Sequence, residues 1–502
     1  MSKGTRRVSR RNVLGGLGVG ATSFSVMKPA SAQLLPPGRR SEQHDVIVIG
    51  TGMAGTATSL QAKQNGADVI VLEKMPESSS GGNSRLAGGF FAIPSADTAE
   101  AKQQFLEDFI AKSPGHGNPA IYRLIMDHGR EDVAWMQQNG VKLLPPIRDE
   151  PYRLDNALAA PAAYAGMPDL LGTLRQRFTT VGGKVAYDTK AKQLIMDNRG
   201  RVSGVRAVGP DGVVDYLANA VVIAAGGYGG NKLLLEEFVS PNTDGMIVRG
   251  RTWATGDGLL MAQEAGAGLA NMAGLTSIHV AAISPREVSA GNPAVALPYC
   301  VGINSDGKRY VDESRGYVAH GKAALNQPGQ KVALIFDADT SKLPNVAFSV
   351  TLFHRLGIPI VEANSLDELA GKINCPSAAL AETVKVFNVA VQQDHKALGA
   401  NPPKALLAYK VQTAPFYAFY PLVPGIALTF GGITTNTNAQ ALEPDGRVIP
   451  GLYAVGEGAG TPYYDDYISG GSLSNCLVMG RIAGRQAAAE KTTQLNPAPA
   501  HN

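Results

Sequence analysis

The chain has 502 residues, of which 44% are hydrophobic and 18% are charged, so it is predicted to be globular, with about two domains. Its apolar runs are short and broken by glycine, which excludes a membrane-spanning helix. Removing the six basic residues among the first 32 would change the formal charge from +4 to −2, so the overall basic charge does not indicate nucleic-acid binding.

The first 32 residues combine six lysines and arginines with no acid, a Gly-rich apolar stretch and the small residues Ala30, Ser31 and Ala32. This order is typical of a cleaved export signal. Residues 9–14 resemble a twin-arginine signal, the route that carries folded proteins. The resemblance implies the twin-arginine machinery as a partner and a periplasmic or otherwise exported location. A disordered basic tail is the alternative.

Residues 45–76 predict a βαβ unit: a strand at 46–49, a Gly-rich turn, a helix, and a second strand at 69–72. The glycines allow a tight turn and a close approach of a pyrophosphate to the helix N-terminus. The second strand ends at Glu73, where a carboxylate can accept ribose hydroxyls. The predicted dinucleotide-binding residues here are Gly50, Gly52, Met53, Ala54, Gly55, Glu73 and Lys74.

Later glycine-rich segments, at 81–89, 221–227, 254–258, 450–460 and 469–473, favour FAD over NAD. The first offers N–H groups and a hydroxyl to phosphates and to the flavin edge. The last begins a helix whose dipole suits the electron-rich end of a reduced flavin. The residues predicted to bind the cofactor here are Gly82, Asn83, Ser84, Ala87, Gly88, Gly89, Ala225, Gly226, Gly227, Thr255, Gly256, Asp257, Gly456, Glu457, Gly471, Ser472 and Leu473.

The order of these segments resembles the flavoprotein family of fumarate reductase and succinate dehydrogenase, which includes urocanate reductase and the ketosteroid dehydrogenases. The resemblance implies an α/β fold, with a Rossmann-like (glutathione-reductase-type) FAD-binding domain at residues 33–275 and 421–502. An α+β capping domain is expected at residues 276–420, enclosing the substrate where the two domains meet.

The resemblance also assigns cofactor contacts. Glu73 would hold the adenosine ribose, Ala191 would approach the adenine by its backbone, and Glu457 would hold the ribityl side. Membrane-bound relatives attach the flavin to a histidine where this chain has Asn83, so the FAD is expected to be non-covalent.

The substrate side departs from the fumarate reductases. Their catalytic arginine follows a Gly-x-Arg-[Phe/Tyr]-x-x-Glu motif, which is residues 307–313 here, but Tyr317 stands at that place. A second arginine, before the C-terminal Gly-Gly pair, is absent, which disfavours a dicarboxylate. The tyrosines resemble those of ketosteroid dehydrogenases, which implies that Tyr467 and the N–H of Gly471 polarise a ketone and that Tyr317 is the second catalytic tyrosine. Ser469, two residues after Tyr467, resembles the pattern of the subgroup of these enzymes that introduces a double bond at carbons four and five.

Other candidates stay open. His279 matches a family histidine that lines the site, or is structural. If the alignment is shifted by two residues, Arg315 takes the place of the catalytic arginine, the proton donor of the fumarate reductases. In the tyrosine mechanism, a nearby Arg309 or Arg315 would lower the pKa of the tyrosine base. The tyrosines would otherwise serve packing alone. Weaker pocket candidates are Tyr152, Tyr164 and Asp465.

The predicted function is an FAD-dependent dehydrogenase that desaturates a cyclic, 3-ketosteroid-like ketone beside its carbonyl, with hydride transfer to flavin N5 and a tyrosine base. The alternative is a periplasmic reductase of an α,β-unsaturated carboxylate, akin to fumarate or urocanate reductase. A third possibility is a flavin-binding protein without turnover. The substrate is expected to be a small molecule. The three cysteines, Cys300, Cys375 and Cys476, lack the spacing of a metal or haem site, and one disulfide among them stays open. Because no haem site is encoded, the electrons are expected to pass to a separate quinone or redox protein.

Overall fold

The computed structural model describes residues 35–38, 40–146, 158–159, 161–272, 277–282, 291–460, 462–464 and 466–490. The predicted export signal, Tyr152 and Asp465 lie outside these residues. From Pro37 onward the chain forms one compact unit.

The helices of this part of the chain are α1 Met53–Gln64, α2 Ala99–Lys112, α3 Pro119–Gln138, α4 Met167–Thr180, α5 Lys232–Phe238, α6 Asp257–Glu264, α7 Tyr317–Leu325, α8 Pro344–Leu356, α9 Leu366–Lys372, α10 Ser377–Ala390 and α11 Gly471–Ala489. The strands are β1 Arg40–Gln43, β2 Val46–Ile49, β3 Val69–Leu72, β4 Ile93–Pro94, β5 Leu158–Ala159, β6 Lys184–Ala186, β7 Lys190–Met196, β8 Val202–Gly209, β9 Gly212–Leu217, β10 Ala220–Ile223, β11 Ile247–Val248, β12 Leu269–Ala270, β13 Ser277–Ala281, β14 Val301–Asn304, β15 Val332–Asp337, β16 Val361–Ala363, β17 Phe416–Leu428, β18 Gly432–Ile433, β19 Gln440–Leu442 and β20 Val448–Ala454.

The central sheet has the order β19-β20-β10-β2-β3-β6, and all neighbours are parallel except β19 and β20. Val46 and Val48 of β2 enter the core on one face of the sheet, whereas Ile47 and Ile49 enter the core on the other. A sheet covered on both faces explains why its central strands β2, β3 and β10 are continuous apolar runs. The α/β fold with a Rossmann-like βαβ unit is therefore confirmed.

Helix α11 packs closely along α1 because glycines face the contact. A Cβ on Gly480 would lie 2.7 Å from the backbone oxygen of Ala54, and one on Gly484 would lie 2.6 Å from that of Thr58. Since α1 is anchored at the turn after β2, this contact brings the N-terminus of α11 to the same edge of the sheet. Two distant glycine-rich segments thereby meet.

Two further sheets complete the architecture. One has the order β1-β9-β8-β7. The other has the order β11-β17-β15-β14, with β13 and β16 also pairing with β17. The predicted domain boundary after residue 420 falls inside β17, so this sheet continues across it. The division into an FAD-binding domain and a cap remains a prediction.

No helix within the described ranges has both the length and the apolarity needed to cross a bilayer. The cysteines are free thiols, with Cys300 and Cys476 buried and Cys375 half-buried.

Candidate active site

A cavity of about 840 Å3 opens at the carboxyl ends of the central parallel strands. Its walls come from the turn after β2, the end of β3, the turn after β10 and the start of α11, and from α7 and α8 on the opposite side. Ligands of open α/β sheets bind at this edge. The cavity is therefore the candidate active site.

The turn after β2 is shaped by its glycines. Gly50 has a φ of +103°, and a Cβ on Gly55 would lie 2.0 Å from the Gly50 oxygen, so larger residues would separate α1 from the strand. Glu73, at the end of β3, accepts hydrogen bonds from the backbone N–H of Thr51 at 3.1 Å and of Met75 at 2.9 Å. These contacts hold the carboxylate at the cavity wall.

A second polar group links four segments of the chain. The Asn83 side chain donates to Glu457 Oε2 at 2.9 Å, and its oxygen accepts from the Arg251 N–H at 2.7 Å. The Thr429 N–H donates to the other Glu457 oxygen at 3.0 Å. Burial raises the pKa of Glu457, and these donors oppose that shift.

Charged groups also lie at the start of α6. Asp257 pairs with Lys74 at 2.6 Å and with Lys190 at 2.9 Å. Burial raises the pKa of Asp257 and the two lysines lower it, with a net decrease, so the carboxylate is ionised at neutral pH. These three side chains line the cavity.

At the substrate side two phenols meet. The hydroxyls of Tyr317, at the start of α7, and of Tyr467, just before α11, are 3.4 Å apart. Both side chains are half-buried and line the cavity. Burial raises the pKa of Tyr317 well above its ordinary value, while a hydrogen bond from Ser469 opposes the shift. Tyr317 is therefore a neutral phenol at neutral pH.

Beside the phenols lies a pair of residues, one just after β11 and one in β13, the strands that flank β17 on its two sides. Arg249, which follows β11, hydrogen-bonds His279 Nδ1 of β13 through Nη1, and the Asn292 amide nitrogen is 3.3 Å from the same Nδ1. Burial and the nearby Arg249 lower the pKa of His279 well below its ordinary value, so the ring is neutral. Because arginine only donates, Nδ1 is the acceptor and the ring proton lies on Nε2.

The Arg249 guanidinium is charged. Burial lowers its pKa to about 10, and the neighbouring Tyr467 and Tyr317 act in the opposite direction. The side chain is half-buried because it faces the cavity. The substrate side therefore combines two phenols, a neutral imidazole and one guanidinium.

The chain is similar to known proteins over most of its length. A family described as "FAD binding domain" matches residues 45–472. The chain is 30% identical over 457 residues to a probable fumarate reductase, Ifc3, of Shewanella frigidimarina (strain NCIMB 400), covering 89% of this chain and 75% of the relative.

Two solved structures are also similar. One is the open conformation of a flavocytochrome c3 fumarate reductase (27% identity, TM-score 0.72, 90% of this chain and 79% of that one). The other is 3-ketosteroid-Δ4-(5α)-dehydrogenase of Rhodococcus jostii RHA1 in complex with 4-androstene-3,17-dione (25% identity, TM-score 0.71, 91% of this chain and 99% of that one).

The chain belongs to the FAD-binding fumarate reductase family. It is an FAD-dependent oxidoreductase, as predicted, so the possibility of a flavin protein without turnover is not supported.

The cavity of this flavoprotein fits FAD. No atom lies within 4 Å of a Cβ built on Gly82, and the nearest to one on Gly52 is 3.4 Å away, so backbone is exposed where a pyrophosphate would approach the N-terminus of α1. The predicted cofactor residues that line the cavity are Gly50, Gly52, Met53, Ala54, Glu73, Lys74, Gly82, Asn83, Ser84, Ala87, Gly88, Ala191, Ala225, Gly226, Asp257, Gly456, Glu457, Ser472 and Leu473.

The other predicted cofactor residues do not line the cavity: Gly55, Gly89, Gly227, Thr255, Gly256 and Gly471. Gly227 lies against Glu457, with a Cβ placed 2.5 Å from its Oε1, and Gly256 has a φ of +79° at the start of α6. At these two positions the glycines serve local packing and backbone conformation.

Four substrate-side predictions need correction. The Gly471 N–H, expected to polarise a ketone, donates to the Ile468 oxygen at 2.8 Å within the turn that starts α11. Arg315 is exposed and outside the cavity lining, and Arg309 is buried in an ion pair with Glu313 at 2.8 Å. Neither arginine faces the phenols. The weaker candidate Tyr164 is 70% exposed and does not line the cavity.

Arg249 was missed by sequence reasoning. It follows a two-residue strand that has no periodicity of its own and pairs with β17, more than 170 residues later in the chain. The only local signal is its position shortly before the predicted turn at 254–258. Asn292 and Arg251 were also missed, and both line the cavity.

Proposed function

We propose that this flavoprotein desaturates a cyclic ketone at the carbon–carbon bond beside its carbonyl, and that Tyr317 and Tyr467 are the catalytic residues. The observation that carries the proposal is the pair of phenol oxygens 3.4 Å apart at the cavity wall. The similarity to a ketosteroid dehydrogenase over 91% of this chain supports the substrate class.

The two phenols would have different tasks. Tyr467 donates to the carbonyl oxygen, which becomes enolate-like as hydrogen leaves the neighbouring carbons. The α-proton goes to the oxygen of Tyr317, which must be ionised to receive it. Ser469 stabilises that ionised oxygen by hydrogen bonding. FAD, when bound, accepts the hydride from the β-carbon.

The cofactor would be held without a covalent bond. Asn83 occupies the loop where a covalent attachment is expected in membrane-bound relatives, and its side chain bonds Glu457 and the Arg251 backbone. Glu73 would hold the ribose, and the turn after β2 would hold the pyrophosphate. The electrons would leave to a separate quinone or redox protein, and the twin-arginine segment would direct the protein to the periplasm.

Anaerobic mixing of the oxidised holoenzyme with ketones tests the proposal. We expect saturated 3-ketosteroids or cyclohexanones to bleach the visible absorbance of the oxidised flavin. Absence of bleaching by any ketone, with reduced enzyme reoxidised by enoates but not by enones, would refute it.

A second candidate is reduction of an α,β-unsaturated carboxylate, and Arg249 is the observation that favours it. Its guanidinium faces the cavity beside the phenols, and a guanidinium suits a carboxylate. Tyr317 is protonated at neutral pH and is thus a proton donor to carbon. Arg249 would then bind the carboxylate, and Tyr317 would take the proton-donor role that the sequence suggested for Arg315.

A further inference from the structure

We infer that Arg249 forms an anion subsite, and that the substrate is an apolar ring ketone which also carries a single carboxylate. The inference rests on the proposed ketone chemistry for the identity of the reacting group. The subsite itself rests on the placement of Arg249.

The guanidinium is held in position from two sides. Nη1 donates to His279, and the side-chain stem lies against β17, where a Cβ on Gly425 would be 2.7 Å from Cγ of Arg249. Gly425 is also the β17 residue paired with His279. A glycine at this position leaves room for the arginine to cross the strand and reach the cavity.

The neutral state of His279 matters to the subsite. Since Nδ1 accepts from Arg249, the imidazole adds no second positive charge, and Nε2–H is a hydrogen-bond donor. A half-buried guanidinium, shielded in part from water, attracts an anion more strongly than it attracts a neutral carbonyl.

The other cationic side chains that line the cavity have partners of their own. Lys74 and Lys190 pair with Asp257, and Arg251 stacks on the Trp253 ring, with its guanidinium carbon 5.0 Å from the ring centre. Among the described lining residues, Arg249 is therefore the cation placed beside the tyrosines, which suits one carboxylate rather than two.

The cavity entrance is apolar. Phe348 of α8 lines the cavity and is 60% exposed, so it lies at the opening, and Ala294, Val295 and Pro344 line the same cavity. A ligand with an apolar body toward the entrance and a carboxylate inside matches this division of polarity.

A binding experiment tests the subsite without turnover. Oxidised holoenzyme is titrated with cyclohexanecarboxylate and with the neutral isostere cyclohexanecarboxamide, and perturbation of the flavin spectrum is followed. Arg249→Met should weaken carboxylate binding by roughly 10–100-fold, the usual range for a hydrogen bond to a charged group, and change carboxamide binding by less than about 3-fold. Arg249→Lys, which keeps the charge but loses the fork, should give an intermediate value.

Arg315→Met is the matched control, since Arg315 is exposed and outside the cavity lining. It should bind both compounds like the wild type. Unchanged carboxylate affinity in Arg249→Met with full flavin content, or an equal loss in Arg315→Met, would overturn the inference. If Arg249→Met loses flavin, Arg249→Lys decides: the inference fails if the lysine variant binds the carboxylate as tightly as the wild type.

Turnover separates this inference from the proposed function. With 3-oxocyclohexanecarboxylate and its methyl ester, the wild type should prefer the acid, and Arg249→Met should reduce that preference by at least about 10-fold. Bleaching by both compounds without preference would refute the subsite alone. Carboxylate binding without bleaching by any ketone would refute the ketone chemistry and leave the subsite intact.

Discussion

Replacing Tyr317 by phenylalanine tests the proposed chemistry most directly. The Tyr317 ring packs edge-on against His279, with ring centres 4.6 Å apart, and phenylalanine keeps this contact. The hydroxyl lost makes a long hydrogen bond of 3.4 Å to Tyr467 and a second one with Ser469, so the stability cost should be about 1–2 kcal/mol. The fold and the flavin content should therefore survive.

The rate of ketone desaturation, in contrast, should fall strongly. Loss of a general base lowers rates by about 10²–10⁴, or about 2.7–5.4 kcal/mol of transition-state stabilisation. Tyr467→Phe, which removes the donor to the carbonyl oxygen, should cost about 10²–10³. Because the two hydroxyls act on one substrate and contact each other, the double variant should be little worse than the slower single variant.

The assay is anaerobic stopped-flow bleaching of the flavin at saturating ketone, with flavin content checked by absorbance. Tyr464→Phe is the matched control, since Tyr464 stacks on His116 with ring centres 4.1 Å apart and does not line the cavity. It should react at the wild-type rate. Near-wild-type bleaching in Tyr317→Phe, or an equal defect in Tyr464→Phe, would refute the assignment.

Three further predictions follow from burial, packing and hydrogen bonding. Burial raises the pKa of Tyr317, and desaturation needs its ionised form, so the bleaching rate should rise about tenfold per pH unit between pH 7 and 9; a flat profile would contradict a Tyr317 base. Gly480→Ala should lower holoprotein stability by about 1–3 kcal/mol, because its Cβ meets the α1 backbone, whereas Gly172→Ala in α4, where a Cβ meets nothing, should be neutral or stabilising in thermal unfolding. Acid precipitation should release all the FAD into solution, and Asn83→Ala should weaken FAD retention by roughly 10–100-fold, as measured by ultrafiltration; flavin that stays with the precipitate would show a covalent bond.

The sequence by itself determined the dinucleotide-binding half of the protein. The strand, the glycines, the helix and Glu73 are close in the chain, and the geometry they need is local, so their order predicts it. The α/β fold and the FAD-dependent oxidoreductase class follow from that order. The tyrosines were also found from the sequence, because each lies at a fixed distance from a recognisable motif.

Only the tertiary structure decided which guanidinium faces the phenols. Arg249, Arg309 and Arg315 are equally polar in the sequence, but strand pairing places Arg249 at the cavity. Arg309 is held in a buried ion pair with Glu313, and Arg315 is exposed at the end of a short 3-10 helix. Likewise, hydrogen bonding within the turn engages the Gly471 N–H. Side-chain direction in these loops depends on contacts between segments distant in the chain, which local sequence patterns do not encode.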